Sequence, residues 1–97
     1  MPLYIVLGNF TQKGIENIKD MTKWSPEANE VMESIGAKTY TNYFTMGQYD
    51  FVSLIEAPDN ESMMKALLIR AGVGHIRTET LTAITGEDMM KIVKEIP

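Results

Sequence analysis

Ala37-Lys38-Thr39-Tyr40-Thr41-Asn42-Tyr43-Phe44-Thr45, then Met46-Gly47-Gln48-Tyr49-Asp50, then Phe51-Val52-Ser53-Leu54-Ile55-Glu56 is the stretch whose reading decides the fold. The two outer runs are rich in β-branched and aromatic residues, which suit a pleated surface. The five residues between them are where two such strands can reverse. Gly47 supplies the positive φ that a tight connection needs, and Gln48 can face water there. The stretch reads as a β-hairpin.

On its N-terminal side, Leu3 to Phe10 is a nearly continuous apolar run of strand length, the pattern of a central strand covered on both faces. Thr11 stands as a helix N-cap, and Ile15, Ile18 and Met21 recur at helical spacing. Ser25-Pro26 interrupts that helix, because proline lacks the amide donor; Ser25 can cap and Pro26 can open a second segment. Ala28, Val31, Met32 and Ile35 then lie on one face up to a C-terminal cap at Gly36. The expectation is one helix kinked at Ser25-Pro26.

On the C-terminal side, Ala57-Pro58-Asp59 ends the strand and caps a helix whose apolar stripe is Met63, Met64, Leu67, Leu68 and Ala71, closed by Gly72 and Gly74. His75 to Ile84 is threonine-rich and alternates, a fourth strand. Thr85 and Asp88 are spaced as a capping box ahead of a terminal helix carrying Met89, Met90, Ile92, Val93 and Ile96.

The order βαββαβα is a split βαβ pattern. Right-handed crossovers place the first and third strands at the centre of a four-stranded antiparallel sheet with both crossover helices on one face. This is an α+β domain spanning residues 1–97, with no internal linker or repeat. Alternation sends Tyr43 or Phe44, Phe51 or Ile55, and Leu81 or Ile84 to the other face. An apolar open face wants a cover. Either a second copy stacks its sheet about 10 Å away, leaving a cavity between the sheets, or the terminal helix folds over.

Composition removes several function classes. With no cysteine and a single histidine, there is no disulfide, no thiolate chemistry and no expected metal or cofactor. A net charge of −4 argues against nucleic acid as a partner. The apolar run at Leu3 breaks at Gly8-Asn9, too short for a signal peptide or a membrane span, so a cytoplasmic protein without a membrane partner is expected.

The polar candidates are few. Asp50 at a strand start is either a carboxylate raised in pKa within a cavity and usable as a base, or a holder of backbone amides. Tyr49 either presents its hydroxyl to a ligand or packs with that hydroxyl satisfied. His75, Arg77 and Glu79 alternate and so should share a face, giving a titratable ring, a cation and a carboxylate in a row. His75 could act as a base or axial haem ligand, or lie exposed at a strand end; Arg77 and Glu79 could simply pair. Tyr4, Tyr40, Tyr43 and Tyr49, with Phe44 and Phe51, either line an aromatic pocket or pack the sheet. The eight methionines read as core filler. Gly72-Val73-Gly74 is no phosphate loop, and no nucleophile with an adjacent base is visible.

Gly47-Gln48-Tyr49-Asp50, Glu56-Ala57-Pro58-Asp59 and Ile76-Arg77-Thr78-Glu79-Thr80-Leu81, with Gly8-Asn9-Phe10-Thr11 and Gly14-Ile15, carry a resemblance over nearly the whole chain. The sequence resembles the GYD domain family. The resemblance implies a ferredoxin-like domain, associating as the dimeric α+β barrels do, in a family of small proteins without an established activity. Tyr49 and Asp50 match the motif that names the family. Thr82 departs from it, standing where a basic residue is more usual.

Two function classes follow. The first is a homo-oligomeric small-molecule-binding or interaction module, with Tyr40, Tyr49, Asp50, Arg77 and Glu79 as candidate ligand contacts. The second is a cofactor-independent isomerase or monooxygenase using Tyr49, Asp50 or His75 to handle protons. A module should show its polar groups already satisfied; an enzyme should show convergent polar groups facing a pocket.

Overall fold

In the computed structural model, which describes Met1–Pro97, the chain forms β1 (Leu3–Phe10), α1 (Gln12–Glu16), a 3₁₀ turn (Ile18–Asp20), α2 (Met21–Ser34), β2 (Lys38–Phe44), β3 (Phe51–Glu56), α3 (Asn60–Val73), β4 (Ile76–Ala83) and α4 (Gly86–Lys94). The strands make one antiparallel sheet in the order β2-β3-β1-β4, with the first and third strands central as the split βαβ pattern requires. Thr11, Asp59 and Thr85 cap α1, α3 and α4, each side chain accepting a backbone N–H three residues on.

Strand alternation decides what each face holds. Tyr4, Val6 and Gly8 of β1 pair with Ile55, Ser53 and Phe51 of β3, and all six are buried beneath the helices. With Ala57 and Met63, the larger of these form the core, and Met32, Ile35 and Leu67 of the helices pack against it. Even the buried Tyr4 hydroxyl is satisfied, donating to Asn60 at 2.5 Å. Gly8 is obligatory because the Phe51 ring lies over it, where any Cβ would stand.

The opposite face carries Leu3, Ile5 and Leu7 of β1, Val52 and Leu54 of β3, and Leu81 of β4, with nothing packed on them to bury them. The expectation for this face therefore needs correction. Tyr43 and Leu81 lie there, but Phe51, Ile55 and Phe44 point to the helices, since Phe51 starts β3 in register with buried Gly8. Nor does the terminal helix provide a cover: every residue of α4 is exposed, including Met90 at 55 % and Ile92 at 47 %.

Three local expectations also change. The break in the first crossover lies at Asn17–Asp20, not at Ser25-Pro26, and Pro26 sits inside a continuous α2. Pro26 is the sixth residue of α2, so its missing amide removes one bond in the second turn, the one that would reach the Thr22 carbonyl. Trp24 fixes the break, its ring buried and its Nε1–H donating to the Asn17 carbonyl at 3.1 Å. The connection between β2 and β3 is a six-residue loop, Thr45–Asp50, closed by Thr45 N–H donating to the Asp50 carbonyl at 2.8 Å. Gly47 has a φ of +124° at its tip, so positive φ is used, but in a wide loop and not a tight turn. Finally, the buried stripe of α3 is Met63, Ala66 and Arg70, whereas Met64 and Leu68 are exposed.

Candidate functional site

The space between the inner sheet face and the two crossover helices is not completely filled. A cavity of about 90 Å³ remains, walled by Val6, Phe51 and Ile55 from the sheet, Trp24 and Met32 from α2, and Leu67 from α3. Phe10 is the hub of its aromatic wall: it meets Trp24 edge-on and stacks on Phe44, each at 6.3 Å between ring centroids, and contacts Phe51 at the same distance. The polar lining consists of Ser25, Asn29, Thr39, Asn42, Ser53, Thr78 and Arg70. Ser53 is satisfied, its hydroxyl donating to Asn42 Oδ1 at 2.8 Å.

Arg70 is not. It is only 3 % exposed, its Nε and Nη2 have no hydrogen-bond partner, and no carboxylate lies within ion-pairing distance of it. Burial pushes its guanidinium below the ordinary value, with the field of Glu27 opposing. Buried polar groups are normally partnered, and a buried charge without a partner is costly, so this group stands out. Sequence reading passed over it because arginine is rarely core. The signal was its place at i+7 from Met63, i+4 from Ala66 and i+3 from Leu67, which puts it on the buried stripe.

The residues expected to carry chemistry lie elsewhere. Asp50 holds β3 to β1: its Oδ2 accepts the Phe10 N–H at 2.9 Å, while its own N–H donates to the Gly8 carbonyl at 2.8 Å. The Tyr49 hydroxyl donates to Glu79 at 2.6 Å, and this bond, followed by burial, raises the phenol's pKa. Tyr40 occupies an irregularity in β2 and donates to Glu56 at 3.2 Å on the open face, under Lys38, whose Nζ sits 4.6 Å from the ring centre. Burial, then the Glu56 charge, raises its pKa as well. Arg77 and Glu79 are paired with Asn9 and Leu7 on that open face, exposed and not bonded to each other. None of these five lines the cavity.

His75 corrects a further expectation. It precedes β4, so it does not share a row with Arg77 and Glu79, and it is half-buried with its ring stacked on Trp24 at 4.5 Å and 11°. Gly74, at φ +94°, turns the chain into this position. The Thr11 hydroxyl donates to the Gly74 carbonyl and the Thr11 N–H to the His75 carbonyl, pinning the start of α1 here. Burial first, then the Lys13 and Arg70 charges, lower the imidazole pKa, and Nδ1 is buried without a partner. His75 backs the cavity wall formed by Trp24 but does not enter the cavity. The expected aromatic cluster exists with different members: Phe44 and Phe51 line the cavity with Trp24 and Phe10, and none of Tyr4, Tyr40, Tyr43 and Tyr49 does. No group of three or more acidic, histidine or cysteine side chains converges to hold a metal, and no helix is long and apolar enough to cross a membrane.

Comparison with known proteins agrees with this architecture. The chain is 34 % identical, over 97 % of its length and 100 % of the relative's, to a glutamine synthetase and cystathionine beta-lyase binding protein of Thermus thermophilus. The crystal structure of FFRP-DM1 superposes with a TM-score of 0.57 at 16 % identity, over 87 % of this chain and 100 % of that one. MtbAldR superposes with a TM-score of 0.59 at 15 % identity, over 87 % of this chain, which spans 52 % of that longer one. At such identities the two structures share the fold alone. The model of the GYD domain family matches residues 4–93, nearly the whole chain. The protein belongs to the GYD domain family.

Proposed function

We propose that this protein is a homo-oligomeric binding module that holds a small molecule between its sheet and its helices. The observation that carries the reading is the chemistry of the cavity wall: hydroxyls, amides and one cation on an apolar surface, with no carboxylate or imidazole to move a proton. Tyr49 and Asp50, which the enzymatic reading would use, are engaged with Glu79 and with the β1 backbone. That alternative, a cofactor-independent isomerase or monooxygenase, has no proton-handling group at the cavity. The Thermus relative is named for binding two enzymes, which supports binding as the activity and adds protein partners to the classes worth testing.

Self-association is supported by the uncovered face. Leu3, Ile5, Leu7, Val52, Leu54 and Leu81 form a contiguous apolar surface that no part of the chain buries. A second copy stacked on it would bury these six residues and bring Tyr40, Tyr49, Arg77 and Glu79 to the rim of the interface. The binding reading is tested with Trp24, the only tryptophan, whose ring is part of the cavity wall. Small apolar amides and acids should perturb its fluorescence saturably in the wild type and not after Ala28→Leu, which fills the space. A wild type without any saturable response would overturn the reading.

A further inference from the structure

Resting on the binding reading, and naming the ligand for the same cavity, we infer that it receives a short aliphatic carboxylate whose anionic head is held by Arg70. Arg70 is only 3 % exposed, its Nε and Nη2 are buried and unpartnered, and the residue forms part of the cavity wall. Nε and an Nη on one edge of a guanidinium are the fork that a carboxylate accepts in bidentate fashion, which makes this a recognition geometry and not merely a charge. The apolar part of the wall, Val6, Phe51 and Ile55 from the sheet with Met32 and Leu67 from the helices, suits a hydrocarbon tail and not a second charge.

Size narrows the class. About 90 Å³ is less than the roughly 150 Å³ of an engineered protein cavity that admits benzene, so the tail is a few carbons and not a ring. Inorganic phosphate or sulfate would meet the same cation but brings no hydrocarbon to the apolar part of the wall. Glu27 is the carboxylate whose field reaches Arg70 from α2, yet it makes no ion pair with it. The cation is therefore kept without an internal counter-charge, and an incoming anion supplies one.

The probes are propionate and propionamide, which match in size and differ in charge, titrated against the whole protein at constant ionic strength with Trp24 fluorescence and thermal melting as readouts. Propionate should bind at least tenfold more tightly than propionamide and raise the melting temperature. In Arg70→Met, which keeps an unbranched stem in the same space, that preference should vanish while the fold persists, because removing an unpaired buried charge relieves the apo protein. Should this variant fail to fold, the wild-type comparison decides alone. Equal binding of both probes would overturn the carboxylate assignment and leave the binding reading standing; binding of neither would remove both. Glu27→Gln should strengthen propionate binding. If it instead leaves propionate binding unchanged and lowers the melting temperature, Glu27 is the partner of Arg70 and the inference fails.

Discussion

The same two central strands, β1 and β3, build two apolar faces, and they meet different fates. On the inner face, Tyr4, Val6, Phe51 and Ile55 are at most 9 % exposed, closed over by α2 and α3 around a small cavity. On the outer face, Leu3, Ile5, Leu7, Val52 and Leu54 are the alternate residues of the same strands and have no cover within the chain. The difference teaches that continuity of an apolar run says a strand is covered on both sides, but not by whom. One side is closed by the chain itself; the other is left uncovered by it.

Substituting one residue on each face should separate these roles. Phe51→Asp places a charge in the core in addition to removing an aromatic ring, whose loss alone costs about 3–5 kcal/mol, so the chain should fail to fold, visible as lost circular dichroism. Ile5→Asp, on the outer face of central β1, should keep the monomer's secondary structure and dissociate the oligomer by sedimentation. If both variants behave alike, the two faces are not distinct in the way described. Gly8→Ala forces the Phe51 ring aside and should destabilise by about 1–3 kcal/mol in a denaturant titration without changing oligomeric state.

Smaller effects sharpen the inner face further. Asp50→Asn retains an acceptor for the Phe10 N–H but loses its charge, and should cost about 1 kcal/mol by the same titration. An effect on ligand binding and not on stability would return Asp50 to the site. His75 sets a pH dependence. Its folded pKa lies below the ordinary 6.5, so below about pH 6.5 the unfolded chain takes up a proton that the folded one resists. Stability should therefore fall as pH drops through that value towards the lower folded pKa, then level, and His75→Gln should lose this component. A wild-type melting temperature that rises over the same window would contradict the stacked, neutral ring.

Much of this was legible in the sequence. The continuous apolar run Leu3–Phe10, the β-branched and aromatic content of Phe51–Glu56 and the caps at Thr11, Asp59 and Thr85 are local signals, so element order and sheet order followed from them. Which parity faces the helices is not local: it depends on Gly8 of β1 lying opposite Phe51 of β3, a long-range pairing flanked by the Asp50 N–H donating to the Gly8 carbonyl. The site was harder still. Arg70 was hidden because a stripe read as Met63, Met64, Leu67, Leu68 and Ala71 leaves it off the buried face, and Trp24 because α2 starts at Met21, five residues before the Pro26 that suggests the start of a second segment. Tyr49 and Asp50 were conspicuous as a motif, and their contacts are to Glu79 and to the β1 backbone.

The central claim is that the outer face is an interface between copies of this chain. Sedimentation equilibrium of the wild type across micromolar concentrations tests it most directly. The account predicts a homo-oligomer, at least a dimer, that Ile5→Asp reduces to a folded monomer of 10.9 kDa. A wild type that sediments as a monomer throughout that range would contradict it.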